Sequence, residues 1–282
     1  MFRNAKGGSH EMANNEQINK VKELSSLQDK QLNDSTIRLQ LNNALKTEEF
    51  EIHYQPYFGI QKKEMGMEAL IRWDHPDLGL LPPDSFLEVA ETTDLIIEIE
   101  KWVLKQSIYE ATKLREQGLK DLRLSINISA KQFENERFPN MVGDILKYHS
   151  FQPSHLTLEI TERFLIKPSN IGIMNEIKDY GIRISIDDFG TSYSSLQYLK
   201  DFPIDELKID RSFISDLDTD LNNRKIVEMI IILGHHLNLT IVGEGVETKT
   251  QYQLLKKMKC DRVQGFLFSK PLPLKKFAQK YE

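Results

Sequence analysis

Two adjacent carboxylates, Asp187 and Asp188, end an apolar alternating run, Ile182, Ile184 and Ile186, that reads as a buried strand. Paired carboxylates at a strand end repel each other and lose solvation, and a cation beside them turns that repulsion into coordination. Standing alone, such a pair would more simply be a solvated acidic turn. Gly190, Thr191 and Ser192 follow, then a short helical segment at 193–199 and a second strand at 204–209 that carries Lys208 and ends at Asp210.

Similar residues recur at or near other strand ends: Gln55, Glu68, Asn127, Glu159, Glu244 and Gln264. Most have apolar neighbours: Met67 and Ala69 around Glu68, Ile126 and Ile128 around Asn127, Leu158 and Ile160 around Glu159. Burying one carboxylate in such a run without a partner costs several kcal/mol. Several strands carrying that cost at one level require a shared partner. Glu68, Asn127, Glu159, Asp187, Asp188 and Glu244 form an all-oxygen set without Cys or His, which selects Mg²⁺, Mn²⁺ or Ca²⁺ over Zn²⁺. Five carboxylates exceed what one hydrated Mg²⁺ uses but suit two cations with a bridging Asp.

The elements that would position these groups follow a βα rhythm. Strand-like runs fall near 50–58, 65–72, 123–129, 155–161, 182–187, 204–209, 239–243 and 261–266. Helical periodicity lies between them, at 95–116, 170–180, about 219–237, and after Thr248, which is placed as a cap. Eight strands alternating with helices predict an α/β fold, a (β/α)₈ barrel whose strand ends converge on one face. A doubly wound open sheet is the alternative, weakened because no GxGxxG or Walker-type loop follows any strand. An amphipathic helix at 36–48, with Ile37, Leu41 and Leu45 on one face, precedes the first strand. Residues 1–35 are polar and read as a mobile start with a connecting helix near 16–31, and Asp34 and Ser35 are natural N-caps for the 36–48 helix.

The 282 residues, 40% hydrophobic and 28% charged, suit one large soluble domain at 36–282. A net charge of −5 argues against a nucleic-acid polymer as partner. Lone Cys260 excludes an intramolecular disulfide framework and fits a reducing compartment. No apolar run spans a bilayer and no signal peptide is visible, so the expected location is cytoplasmic, with any membrane tether outside this chain.

The motifs, taken in order, carry a resemblance. They are YQP at 54–56, EALIRW at 68–73, HP at 75–76, SINIS at 125–129, LEITE at 158–162, DDFGTSYSSL at 187–196, LKID at 207–210, GEGVET at 243–248 and QGFLFSKPLP at 264–273. Over about residues 36–275 the chain resembles the EAL-domain family of cyclic di-GMP phosphodiesterases. The resemblance implies a TIM-like barrel whose first strand is antiparallel to the others, and hydrolysis of cyclic di-GMP to linear 5′-pGpG. It implies two divalent cations, Mg²⁺ or Mn²⁺, with Ca²⁺ inhibitory. Glu68, Asn127, Glu159 and Asp187 match one metal site; Asp187, Asp188 and Glu244 match the other. Lys208 matches the lysine that orients the attacking water, and Glu162 the anchor of the loop after the paired aspartates. Arg72 matches a phosphate-binding arginine. Gln55, Leu70, Glu247 and Gln264 match the substrate groove, and Asp210 a supporting position.

The resemblance also implies a homodimer and regulatory domains N-terminal to this chain. Residues 1–12 are similar to the tail of a GGDEF domain. Ser192 replaces a glycine usual in the family loop, and Gly243 replaces an alanine; neither is a proposed ligand. A member that binds cyclic di-GMP without cleaving it, or acts through dimerisation alone, is the competing implication. Such members typically lack metal ligands, and all are present here.

Overall fold

The computed structural model describes residues 36–167, 169–191 and 196–281. The connecting helix expected at 16–31, the caps Asp34 and Ser35, and Ser192 lie outside them. Helix α1 (36–44) buries Leu41 and Ala44 and sets Ile37 and Leu45 against the core, as its spacing predicts.

Strand β1 (Phe50–Gly59) turns at 60–64 into β2 (Met65–His75). That link is too short for a helical crossover, so the strands pair as an antiparallel hairpin. Next come β3 (Gly79–Leu81), α2 (Leu87–Glu91), α3 (Leu95–Glu116), β4 (Arg123–Asn127), α4 (Ala130–Phe133), α5 (Phe138–His149), β5 (Leu156–Thr161) and α6 (Asn170–Asp179). The chain continues through β6 (Arg183–Phe189), α7 (Leu196–Asp201), β7 (Glu206–Ile209), α8 (Arg211–Ser215), α9 (Leu221–His236), β8 (Thr240–Gly243), α10 (Lys249–Lys257), β9 (Arg262–Gln264), β10 (Leu272–Pro273) and α11 (Leu274–Tyr281).

The pairing runs β1-β9-β8-β7-β6-β5-β4-β2 and closes through β1–β2. Every neighbouring pair from β2 round to β9 is parallel, whereas β1 is antiparallel to both β2 and β9. The fold is a TIM-like barrel with its first strand reversed. Of the helical segment expected at 193–199, residues 196–199 lie in helix α7, and the stretch 192–195 lies outside the described residues.

Alternation along the strands is apolar-out and polar-in. Leu124 and Ile126, Leu158 and Ile160, Ile184 and Ile186, and Leu207 and Ile209 are buried members of the apolar core that includes the inner faces of the helices. Ser125, Thr157, Glu159, Ser185, Glu206, Lys208, Arg262 and Gln264 occupy the alternate positions and are also buried. Close approach inside the barrel fixes Gly66, where a Cβ would lie 2.1 Å from the Tyr57 ring of the paired strand.

At the end opposite the strand C-termini, the Arg262 guanidinium bridges Glu206 and Glu64, with Glu64 at 2.6 Å. Glu64 also receives Arg123 at 2.7 Å. Burial opposes the charge on Arg262, yet the carboxylates hold its pKa above the ordinary value. Removing one partner of a buried pair strands the other charge. Arg262→Ala should therefore lose about 3–5 kcal/mol of unfolding free energy. Urea unfolding at unchanged slope measures this; a loss below about 1 kcal/mol would refute a structural role for the network.

Candidate active site

Adjacent strand residues normally point to opposite faces, so Asp187 and Asp188 need a local irregularity to act together. The β6–β7 register supplies it. Ile186 pairs with Leu207 and Phe189 with Ile209, so two aspartates on β6 stand against the single Lys208 on β7. This is a bulge. Asp188 adopts φ 53°, a left-handed conformation that Asp tolerates better than most residues. One oxygen each from Asp187, Asp188 and Glu244 then lie within 4.8 Å of one another.

Lys208 sits at the centre, 2% exposed. Its Nζ is 2.7 Å from Glu159 Oε2, 2.7 Å from Glu244 Oε1, 3.2 Å from Asp187 Oδ1 and 3.6 Å from Glu68 Oε2. Burial disfavours the ammonium, but these four carboxylates outweigh it and hold Lys208 protonated well above its usual range. Burial likewise pushes Glu159 and Glu244 upward; Lys208 opposes the shift and neighbouring carboxylates add to it. Asp188 rises to about 6, through burial first and then repulsion from Asp187 and Asp210.

Glu68 lies in the middle of β2 rather than at its end, because β2 continues beyond the barrel to pair with β3. Directly opposite it stands Gln55. Gln264 Nε2 donates to Glu68 Oε2 at 2.6 Å and to Gln55 Oε1 at 3.3 Å, and Gln55 Nε2 donates to the Ser269 carbonyl at 3.2 Å. These buried amides therefore hold Glu68. Asn127, exposed at the end of β4, donates to Glu68 Oε1 at 2.7 Å and is level with Glu159 on β5.

Glu162 is 2% exposed, and its Oε2 accepts from the Gly190 amide at 3.2 Å, which ties the loop after Asp188 to the end of β5. Asp210 caps α8 by accepting from the Ser212 amide at 3.0 Å, and its charge acts on Asp188. An open cleft of about 780 Å³ meets this cluster, its wall including Leu70, Asn127, Glu159, Glu162, Asp187 and Asp188. Arg72, half-buried near Glu68 and Asp84, donates to the Ile71 carbonyl at 2.8 Å. The Glu247 side chain is exposed, and its backbone amide is held by Gln251.

The donor set fits divalent cations. Four carboxylates from β2, β5, β6 and the end of β8 surround one ammonium, and Asp188 and the Asn127 amide join them from β6 and β4, leaving an excess of hard oxygen donors. Sequence reasoning missed Glu100 on α3, whose carboxylate reaches Ser129 just beyond Asn127. Its signal was a lone carboxylate within the apolar phase of the 95–116 helix.

The EAL domain model matches residues 38–271. The signaling protein YkoW of Bacillus subtilis (strain 168) is 43% identical over 254 residues, covering 88% of this chain and 32% of its own length. The bifunctional diguanylate cyclase/cyclic di-GMP phosphodiesterase MucR of Pseudomonas aeruginosa is 43% identical over 236 residues, covering 83% and 34%. This chain thus spans about a third of those relatives. Among solved structures, the PaMucR phosphodiesterase in complex with c-di-GMP matches with TM-score 0.82 and 41% identity, covering 86% of this chain and 99% of that one. The EAL enzyme Bd1971 in its cAMP- and cyclic-di-GMP-bound form matches with TM-score 0.87 and 32% identity, covering 99% and 77%. With these motifs set around one closed barrel, the chain belongs to the EAL domain family.

Proposed function

We propose that this chain is a divalent-cation-dependent phosphodiesterase that opens cyclic di-GMP to linear 5′-pGpG. The observation that carries the reading is the intact oxygen set around Lys208 at the cleft. MucR, described as a cyclic di-GMP phosphodiesterase, and the c-di-GMP complex of its domain support the substrate class. Glu68, Asn127, Glu159 and Asp187 would hold one cation, and Asp187, Asp188 and Glu244 a second. Bound there, the pair would lower the pKa of a water and neutralise charge on the scissile phosphate.

The protein's own groups do the rest. Lys208, held charged by its surrounding carboxylates, would donate to the attacking oxygen and offset the growing negative charge. Gln55 and Gln264 keep Glu68 in place. Glu162 fixes the backbone at Gly190, and thereby the strained turn at Asp188. Arg72 lies near enough to Glu68 for its guanidinium to serve a substrate phosphate on the same side of β2. Homodimerisation, regulatory domains N-terminal to this chain and a cytoplasmic setting belong to the same proposal. Among the described residues, no helix is long and apolar enough to cross a membrane.

Asp187→Asn tests the bridging carboxylate. Turnover of cyclic di-GMP with Mg²⁺ or Mn²⁺ should fall by at least about 10²-fold, with the melting temperature near that of the unsubstituted protein. Near-normal turnover would sink the two-cation assignment. Ca²⁺ in place of Mg²⁺ should bind but support little hydrolysis, because its longer, looser coordination activates water poorly. Robust hydrolysis in Ca²⁺ alone, followed as pGpG release, would count against the mechanism.

Glu162→Ala should lower kcat by about 10-fold although it removes no proposed ligand. If the 187–195 loop links the site to a dimer interface, specific activity of the unsubstituted protein should also rise with protein concentration. Concentration-independent activity together with a fully active Glu162→Ala protein would discard the coupling.

A further inference from the structure

The inward face of α3 is apolar, with Ile96, Ile99, Val103, Leu104 and Ile108 buried. Glu100 interrupts it and is only 8% exposed. Among the described residues no cation pairs with it. The nearest base on α4, Lys131, is engaged by Asp94 at 2.7 Å and by the Thr93 carbonyl at 2.9 Å. Glu91 adds like charge. A carboxylate buried in this way costs several kcal/mol unless hydrogen bonds compensate it.

Those bonds go to a single residue. Glu100 Oε1 accepts from the Ser129 amide at 2.7 Å, and Oε2 from the Ser129 hydroxyl at 3.0 Å. The same hydroxyl accepts from the Gln132 amide at 3.2 Å and so caps α4. One residue earlier, the Ile128 amide donates to the Glu159 carbonyl at 2.8 Å. The two peptides after Asn127 are therefore clamped from opposite sides, one by β5 and one by α3. Asn127 itself is exposed at the strand end; its side chain is held by its bond to Glu68 Oε1, and its backbone by these two clamped peptides.

We infer that Glu100 is a positioning residue that sets Asn127 through Ser129, and so tunes one of the two cation sites. The inference rests on the two-cation reading above. It differs from a general stabilising role in one respect: only the site containing Asn127 should respond. Among the described residues, no hydrogen bond or ion pair joins Ser129 to Asp188 or Glu244, the two ligands that the other site does not share.

The test is calorimetric titration of Mn²⁺ into metal-stripped protein, comparing the unsubstituted chain, Glu100→Gln, Glu100→Ala and Glu244→Gln. Loss of an outer support typically weakens a metal site about 10–100-fold. One of two Mn²⁺ events should weaken by about 10-fold or more in Glu100→Ala, and by less in Glu100→Gln, whose amide oxygen can still accept from Ser129. Glu244→Gln should weaken the other event. Equal weakening of both events in the Glu100 proteins would mean a global structural effect and overturn the inference. Unchanged affinities beside a normal unsubstituted protein would overturn it too. If Glu100→Ala fails to fold, Glu100→Gln decides alone. Absence of Mn²⁺ binding to the unsubstituted chain would instead refute the two-cation reading, and with it the assignment of Glu100.

Discussion

The structure depends on one electrostatic balance, the Lys208 ammonium inside a ring of carboxylates in the barrel interior. Burial disfavours the charge on Glu159 and Glu244, and neighbouring carboxylates add to that cost. Lys208 contacts Glu159, Asp187 and Glu244 within 3.2 Å and reduces that repulsion without cancelling it. The residual negative charge is what makes the site attractive to cations. A site fully neutralised by its own side chains would be more stable and less able to bind them.

This balance explains the inverted texture of the barrel. Interiors of such barrels are commonly filled with branched apolar side chains. Here the interior carries serines, amides and charges, while the apolar core lies between strands and helices. The Arg262, Glu206 and Glu64 network handles the remaining charge at the other end. The Tyr57 ring fills the space that a Cβ on Gly66 of the paired strand would need.

Much of this was legible in the sequence, for definite reasons. Strand positions followed from apolar alternation, and the long helix at 95–116 from its period. Candidate ligands stood out as carboxylates within apolar runs. The level on which they meet was less accessible. Glu68 is mid-strand because β2 outruns the barrel, which alternation alone cannot reveal. The reversed first strand was implicit in the short spacing between the first two strand runs, a length argument that periodicity does not make. The bulge that turns Asp188 toward Asp187 is a register effect between β6 and β7, set by the partner strand. Glu100 was visible as an anomaly, but its partner Ser129 is distant in sequence.

The bulge and the clamps share a logic. A barrel places side chains only at strand-period positions, one inward residue in every two. The oxygen cluster around Lys208 is denser than that period provides. The fold achieves it with departures at two strand ends. On β6 an extra residue is admitted and Asp188 takes a left-handed conformation, held near Gly190 by Glu162. On β4 the strand stops at Asn127, and the following amides are tied to Glu159 and Glu100. Irregular backbone is costly unless its surroundings fix it. In both places a buried carboxylate supplies the fixing bond from outside the ligand set. Glu162 and Glu100 thus do for the backbone what Lys208 does for the charges, holding in place an arrangement that regular strands would not adopt.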